Sequence, residues 1–389
     1  MTRTPDNALL PNGLQDLLAP DAAHEASAVE RLMHCFAGHG YERVKPPMLE
    51  FESALLAGAG AALGSQTFRL MDPVSQKMLG LRADVTPQVA RIAASRLAHA
   101  PRPLRLCYAG QVLRTSGSQL RPERQFAQVG AELIGTDAEA ADAEAVTMAV
   151  EALQEVGVPH LSVDLNLPPL VGALAAHLGL DEDTTERLRQ ALDRKDSAAV
   201  DVLAGDRAEL FRGLLRAVGP AETALPRLQA LDLPAAIRPE AERLARVVER
   251  VRATLPELTL TVDPVEHRGF EYQTGVSFTL YARGVRAEVG RGGRYTADAN
   301  VGGTEAATGF TVFMDTVMRA LPAAPRAERL YLPAGTDPAV ARGLRADGWV
   351  TVSGLDPETD AAAEAARQGC GHIYRDGRVA AVPTGVGSG

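Results

Sequence analysis

Residues 104–135 constrain the fold more than any other stretch, because polar and apolar residues alternate there on both sides of a loop. The stretch begins with an apolar run, changes to the loop-forming residues Thr-Ser-Gly-Ser at 115–118, and resumes its alternation at 126–133. This pattern predicts two strands joined by a loop. Gln128 and Glu132 are four residues apart, so on a strand both side chains leave the same face of the sheet.

Arg114 ends the first of these predicted strands, next to the loop. An amide, a carboxylate and a guanidinium on one sheet face suit a small zwitterion with a hydrogen-bonding side chain, provided that a cover excludes water. The stretch therefore predicts a ligand site. The pattern alone does not exclude an alternative, in which this sheet face is exposed to solvent and binds no ligand.

Composition limits the class of protein. A chain of 389 residues with 46% hydrophobic content is long enough for about two or three domains. The net charge of −9 disfavours a protein whose main task is to bind a polyanion such as tRNA, because that affinity depends on Lys and Arg. The three cysteines, Cys35, Cys107 and Cys370, form no CxxC pair, which argues against a zinc site or a disulfide framework and fits a reducing cytoplasm.

The first residues, MTRTPDNALLPNG, contain no apolar run. No stretch of about 18 uncharged apolar residues occurs anywhere in the chain. We therefore expect a cytoplasmic protein that is neither secreted nor inserted into a membrane.

The segments before residue 104 predict a helix, an edge strand and a hairpin. Apolar residues recur at helical spacing through 29–36, and Pro46-Pro47 confine the extended piece that follows to an edge or an interface. Residues 67–86 resemble a hairpin with its turn near Asp72-Pro73, and a helix follows from Thr86-Pro87.

The pattern divides the chain into four parts. Residues 1–167 and 258–322 mix strands with helices and predict the two halves of one α+β core. Residues 168–257 are rich in Ala, Leu, Arg and Glu at helical periods, which predicts a helical insertion. Residues 326–389 alternate strands with helices and predict a small C-terminal α/β unit that ends in a hairpin near Asp376-Gly377.

Three stretches taken together resemble histidyl-tRNA synthetase, a class II synthetase, over roughly residues 10–321. They are LRADVT at 81–86, the central stretch at 104–135, and HRGFEYQTG with GRGGRY within 267–295. Pro47 stands in the proline position of the synthetase's dimer-forming first motif. The resemblance implies a class II aminoacyl-tRNA synthetase-like antiparallel sheet flanked by helices, and a homodimer.

The resemblance also implies a histidine pocket. Carried over residue by residue, its ligand-binding positions are Asp84, Thr86, Arg114, Gln128, Glu132, Arg268 and Tyr272. The carboxylates Asp84 and Glu132 would hold an α-ammonium group, and the arginines would bind a carboxylate. Gln128 and Tyr272 would address the imidazole nitrogens. The chain departs from the family at three positions: Asp84 replaces a glutamate, Glu271 an aspartate, and Gln273 a tyrosine.

The ATP-binding residues of the synthetase are not matched. Its loop after the central arginine carries a glutamate and a second arginine, where this chain has Ser116 and Gly117. Its third motif ends in an arginine that clamps phosphates, where this chain has Thr316. A neutral hydroxyl cannot replace a bidentate guanidinium, a donor often worth about 10²-fold in rate. We therefore expect no amino-acid activation and no cofactor.

The C-terminal unit from residue 326 holds seven arginines and eight acidic residues, a net charge of 7 − 8 = −1, so we expect no tRNA partner. A synthetase-like chain with a histidine pocket, an altered ATP site and a reduced C-terminal unit resembles the regulatory subunits of ATP phosphoribosyltransferase. That family pairs with a short-form catalytic subunit in a hetero-oligomer and makes it responsive to histidine. Two alternatives stay open: an active histidyl-tRNA synthetase, and a synthetase-like scaffold that binds no ligand.

Overall fold

The computed structural model describes residues 9–267, 272–298, 303–323 and 327–383. The chain divides into two compact units, Met1–Pro322 and Ala323–Gly389. No helix in the described ranges is long and apolar enough to cross a membrane.

The helices of the first unit are α1 (Asp21–Gly38), α2 (Glu52–Leu55), α3 (Thr86–Ser95), α4 (Glu139–Val156), α5 (Pro169–His177), α6 (Glu182–Asp193), α7 (Ser197–Ala204), α8 (Ala208–Arg216), α9 (Ala221–Gln229), α10 (Arg238–Thr254) and α11 (Met314–Ala320). Its strands are β1 (Glu42–Arg43), β2 (Leu49–Phe51), β3 (Arg69–Met71), β4 (Met78–Leu81), β5 (Leu104–Leu113), β6 (Gln125–Ile134), β7 (Leu161–Asn166), β8 (Gly219–Pro220), β9 (Thr259–Asp263), β10 (Gln273–Ala282), β11 (Gly290–Asp298) and β12 (Thr304–Phe313).

The main sheet has nine strands in the order β1-β5-β6-β12-β11-β10-β7-β9-β8. Neighbouring strands are antiparallel except for the pairs β1/β5 and β7/β9. The central stretch forms the antiparallel pair β5/β6, so the two strands predicted from its alternation are confirmed.

Helices cover both faces of this sheet. Odd-numbered residues of β6, such as Val129 and Leu133, share one core with α1 and α4, where Phe36 meets Phe310 edge to face at 5.4 Å between ring centroids. The even-numbered Phe126 belongs to a second core with α3. Every residue from 126 to 134 is consequently buried. This excludes the alternative in which β6 presents a face to solvent.

The segment 168–257 is helical from α5 to α10, apart from the short strand β8 that pairs with β9. Its apolar residues, including Leu192 of α6 and Val248 of α10, belong to the same continuous core as α4 and β7. The insertion is therefore packed on the main sheet.

The strands β2, β4 and β3 form a separate small sheet. The predicted hairpin turn is confirmed, because Asp72 accepts hydrogen bonds from the backbone N–H groups of Val74 and Ser75, each 3.1 Å long. The predicted helix start is confirmed too, since α3 begins at Thr86 with a proline in its first turn.

The second unit contains β13 (Arg329–Leu332), α12 (Pro338–Ala346), β14 (Val350–Ser353), α13 (Ala361–Arg367), β15 (His372–Arg375) and β16 (Arg378–Ala381). Its sheet has the order β14-β13-β15-β16, with β13 parallel to both of its neighbours. The antiparallel pair β15/β16 turns at residues 376–377, where the hairpin was predicted. The alternation of strand and helix is that of a small α/β unit.

Candidate functional site

A cavity of about 680 Å³ opens on the α3 side of the main sheet. It is lined by Ala62, Leu63, Ser65, Gln66, Asp84, Thr86, Pro87, Arg114, Ser116, Gly117, Ser118, Arg121, Glu123, Phe126, Tyr272, Glu288 and Arg291. A much smaller pocket of about 20 Å³ shares Asp84, Thr86, Tyr272 and Arg291 with the cavity and adds Glu132. The cavity and the smaller pocket together are lined by most of the ligand-binding residues predicted from the sequence.

Asp84 lies in the turn that leads into α3, and Thr86 is the first residue of this helix. Asp84 Oδ1 accepts the backbone N–H of Thr86 at 2.9 Å. Gln128 donates through Nε2 to Asp84 Oδ2 at 3.0 Å and accepts the backbone N–H of Val85 through Oε1 at 3.0 Å. Gln128 is fully buried and lines neither space, so here it fixes the orientation of Asp84.

Glu132 lies at the bottom of the site, 1% exposed. Its Oε1 accepts hydrogen bonds from Thr86 Oγ1 at 2.9 Å and from Tyr108 Oη at 3.4 Å, and its Oε2 accepts one from Tyr295 Oη at 2.9 Å. Burial raises the pKa of Glu132 to about 8, although the three hydroxyl groups act in the opposite direction. Burial therefore favours the protonated form of this carboxyl group more strongly than water does.

The neighbouring strand β12 leaves room for this carboxyl group by means of Gly309. A Cβ at this position would collide with Glu132 Oε2 and with the backbone of Ala131. Only glycine allows the two strands to pair in register at Gly309 and Glu132 while the carboxyl group stays in place.

Three arginines line the cavity. Arg114 donates through Nε to the backbone oxygen of Ala83 at 3.3 Å, and burial lowers its pKa to about 10 despite the nearby Asp84. Arg121 forms a two-point ion pair with Asp315, at 3.0 and 3.2 Å, and its guanidinium lies 3.8 Å from the ring centroid of Phe313. The third arginine is at position 291.

Neither Arg121 nor Arg291 was predicted from the sequence. Arg291 lies on β11 four residues before Tyr295, so strand alternation places it on the face that carries the hydroxyl group bound to Glu132. That signal was available in GRGGRY. Arg121 lies in the loop between β5 and β6, where no periodicity indicates the direction of a side chain.

The structure describes only some of the residues predicted from the stretch HRGFEYQTG. Tyr272 borders both spaces. Burial raises the pKa of Tyr272 to about 12. Arg268 and Glu271 lie outside the described residues.

The three positions that do not match the ATP-binding residues of the synthetase lie in different places in the structure. Ser116 and Gly117 border the cavity. Thr316 is fully buried in α11, and its Oγ1 has no hydrogen-bond partner among the described residues. The adjacent Asp315 is the residue of α11 that reaches Arg121. Within the described ranges, no group of three or more His, Cys, Asp or Glu side chains is arranged to hold a metal ion.

The chain matches the family model for histidyl-tRNA synthetase over residues 13–317. An ATP phosphoribosyltransferase regulatory subunit from Paramagnetospirillum magneticum is 61% identical over 372 residues, which cover 96% of this chain and 97% of that protein. One from Rhodospirillum rubrum is 54% identical, with coverages of 98% and 99%.

Solved structures show the same relationship. A protein from Bacillus halodurans, described as an ATP phosphoribosyltransferase regulatory subunit/histidyl-tRNA synthetase, is 25% identical with a TM-score of 0.81, covering 94% of this chain and 97% of that one. Histidyl-tRNA synthetase from Nostoc sp. PCC 7120 is 16% identical with a TM-score of 0.79 and coverages of 95% and 91%, which shows the fold alone. The predicted class II synthetase-like fold is confirmed, and the chain belongs to the family of ATP phosphoribosyltransferase regulatory subunits.

Proposed function

We propose that this chain is the non-catalytic regulatory subunit of an ATP phosphoribosyltransferase, which activates a short-form catalytic subunit and makes it sensitive to histidine. The identities of 61% and 54% to regulatory subunits extend over nearly the whole chain. They support the proposed pairing with a catalytic subunit. The observation that carries the sensing role is the cavity itself, where carboxyl and guanidinium groups meet within reach of one ligand. Such a site is complementary to an amino acid in its zwitterionic form.

Histidine fits the charge arrangement of the site. Asp84 borders both spaces and is held in place by Gln128, so its carboxylate is positioned for the α-ammonium group. Arg114, which lines the same cavity, suits the α-carboxylate. Glu132 and Tyr272 at the bottom suit the imidazole nitrogens, which differs from the sequence expectation that Glu132 holds the ammonium group.

The same cavity argues against amino-acid activation. The synthetase's second loop arginine would stand at Gly117, which has no side chain to offer a phosphate. Thr316 is buried in the core, away from the cavity lining. Arg121 does line the cavity, but Asp315 already neutralises the charge of its guanidinium through two hydrogen bonds. A transition state that concentrates phosphate charge would find less stabilisation here than in the synthetase.

Reconstitution tests the proposed function. The purified chain is mixed with a short-form ATP phosphoribosyltransferase catalytic subunit, and phosphoribosyl transfer is measured with and without histidine. We expect activity only in the complex, and inhibition of that activity by histidine. A catalytic subunit that is equally active alone would contradict the regulatory role.

Pyrophosphate exchange separates the proposal from the synthetase alternative. We expect the purified chain to catalyse no histidine-dependent exchange between ATP and pyrophosphate, because Gly117 and Thr316 supply no phosphate-binding cation. Exchange at the rate of an active histidyl-tRNA synthetase assayed in parallel would overturn the assignment. Calorimetric titration with histidine separates the sensor from a scaffold without a ligand.

We further propose that the chain is a cytoplasmic homodimer within the hetero-oligomer, without tRNA as a partner. The small sheet β2-β4-β3 supports the dimer, because it exposes apolar side chains beside the diproline segment. They are Met48, Leu49, Phe51, Leu70, Met71 and Met78, each between 37% and 54% exposed. Exposed apolar residues on a small sheet of this kind can mark an interaction surface. The C-terminal unit, with its net charge of −1, offers no electrostatic attraction for RNA.

A charge placed on this sheet tests the dimer. We expect Met71→Glu to convert a dimer into a monomer in sedimentation at micromolar concentration, because an ionised carboxylate cannot be buried without a partner. Val202→Glu is the matched control, since Val202 is 82% exposed in the helical insertion. A wild-type chain that sediments as a monomer would contradict the proposal.

A further inference from the structure

The loop between β5 and β6, residues 114–124, forms one wall of the cavity. The loop residues that line the cavity are Arg114, Ser116, Gly117, Ser118, Arg121 and Glu123. A loop with few contacts opens locally at a low cost in free energy. The contacts that this loop makes with its surroundings therefore decide how firmly the wall is held.

Arg121 attaches the loop to α11. Its Nη2 and Nε donate to the two carboxylate oxygens of Asp315 at 3.0 and 3.2 Å, and its Nη1 lies 3.6 Å from Glu288 Oε1. Its guanidinium also lies 4.5 Å from the ring centroid of Phe126 and 3.8 Å from that of Phe313. Parallel hydrogen bonds combined with packing on aromatic rings are the contacts that the planar guanidinium of arginine favours.

A second ion pair joins the loop to the same helix with the charges reversed. Glu123 Oε1 lies 2.5 Å from Arg319 Nη2. Asp315 and Arg319 are four residues apart on α11, so they are neighbours on one face of the helix. The side chain of Arg319 is 40% exposed, whereas those of Arg121 and Asp315 are 8% and 5% exposed. The pair of Arg121 is therefore the less screened of the two attachments.

The position of Arg121 also determines that of the loop residues before it. Ser118 donates its backbone N–H to the backbone oxygen of Arg121 at 2.7 Å, and Arg121 donates its own N–H to Ser118 Oγ at 3.0 Å. At the other end of the loop, Thr115 donates its backbone N–H to the backbone oxygen of Gln66 at 3.0 Å. The segment between Thr115 and Ser118, which lines the cavity, is thus held from both sides.

We propose that Arg121 is a positioning residue of the ligand site, which holds the β5–β6 loop on α11 as a fixed wall of the cavity and thereby slows dissociation of the ligand. Arg121 acts through its neighbours, because its own guanidinium is occupied by Asp315. One neighbour is Arg114, since both guanidinium groups lie near the ring of Phe126, at 5.1 and 4.5 Å from its centroid. Without the attachment, the loop moves away from α11 and the ligand leaves more easily.

Ligand kinetics test the proposal, and this test rests on the proposed histidine site. Arg121→Lys keeps a positive charge beside Asp315 but lacks the planar fork, so the chain should still fold. Histidine affinity is measured by calorimetry and its dissociation rate by NMR exchange. We expect the dissociation rate to rise by about tenfold with little change in the association rate, because contacts within one network couple by amounts of this size and act mainly on dissociation.

The matched control is Arg105→Lys. Arg105 also forms a two-point ion pair, with Glu144 at 3.0 Å for each hydrogen bond, but it does not line the cavity. Its variant should release histidine at the wild-type rate. Asp315→Asn should act like Arg121→Lys, and the double variant should be no worse than either single one, because both changes remove the same attachment. A wild-type dissociation rate in Arg121→Lys overturns the proposal.

Hydrogen–deuterium exchange of the loop needs no ligand. We expect the backbone amides of Ser118 and Arg121 to exchange faster in Arg121→Lys than in the wild type, and at the wild-type rate in Arg105→Lys. Equal exchange in the three proteins overturns the proposal, whether or not histidine binds. Faster exchange in Arg121→Lys in a chain that binds no histidine supports the attachment by Arg121 and contradicts only the proposed sensing function.

Discussion

Asp142→Ala is expected to lower the free energy of unfolding by roughly 3–5 kcal/mol, the usual cost of removing one partner of a buried ion pair. Asp142 of α4 is 2% exposed and Arg294 of β11 is 4% exposed. Arg294 donates through Nη2 to Asp142 Oδ2 at 2.9 Å, and Thr308 Oγ1 of β12 donates to Asp142 Oδ1 at 2.8 Å. The variant leaves a buried guanidinium without this carboxylate.

Urea denaturation, monitored by circular dichroism, measures how much the free energy of unfolding falls in Asp142→Ala. Arg294 retains a bond to Asp137 at 2.8 Å, but the side chain of Asp137 is 74% exposed and is screened by water. The matched control is Glu139→Ala. It removes from the same helix a partly exposed carboxylate that pairs with Arg246 and Arg250. We expect a much smaller change for this control, and equal changes in the two variants would contradict the argument.

A double variant separates the charge from the packing. Asp142→Leu combined with Arg294→Met removes both charges while keeping apolar volume, and such replacements are often neutral or stabilising. We expect it to recover most of the stability that Asp142→Ala loses. The pair ties α4 to β11 and β12, the strands that carry Arg291 and Gly309 of the site, so recovery of stability would be accompanied by recovery of ligand binding.

Much of the fold follows from local patterns. The alternation in residues 104–135 requires two strands, and the proline after Thr86 fixes a helix start, because each signal depends only on neighbours in sequence. The same alternation placed Gln128 and Glu132 on one face correctly. Alternation does not predict what covers that face. In the structure, the turn at Asp84 covers Gln128 completely.

The environment of Glu132 could not be predicted in this way. Its three hydroxyl partners come from positions 86, 108 and 295, which are 46, 24 and 163 residues away along the chain. No local period relates them. Their convergence depends on the order of β5, β6, β12 and β11 in the sheet and on the helix that crosses it. The sequence therefore indicated a carboxyl group at the site but not the burial that raises its pKa.

Glu132→Gln is expected to change the pH dependence of stability. The pKa of Glu132 is about 8 in the folded chain, against an ordinary value of 4.5, because burial disfavours its charge. The folded state then holds a proton that the unfolded chain releases, so the free energy of unfolding falls as the pH rises from 4.5 to 8. The difference in pKa corresponds to roughly 4–5 kcal/mol. A glutamine has no proton to lose.

Urea denaturation of the wild type and Glu132→Gln at a series of pH values measures this effect. We expect the stability of the variant relative to the wild type to rise by roughly 4–5 kcal/mol between about pH 4.5 and pH 9. Other groups titrate over the same range, but they are common to both proteins and cancel in the difference. Parallel curves for the two proteins would show that Glu132 is ionised throughout.

The same variant tests how ligand binding becomes regulation. At a pH above 8, where Glu132 is ionised, its carboxylate gives a charge-assisted hydrogen bond that glutamine lacks, so roughly 1.5–3 kcal/mol of histidine affinity should be lost there. Because allostery is a coupling between two sites, the reconstituted complex should still assemble and be active, and only a higher histidine concentration should inhibit it. An unchanged inhibition curve would move the sensor to another site, such as a subunit interface. Loss of activation without loss of folding would make Glu132 a structural residue and would contradict its role as a sensor.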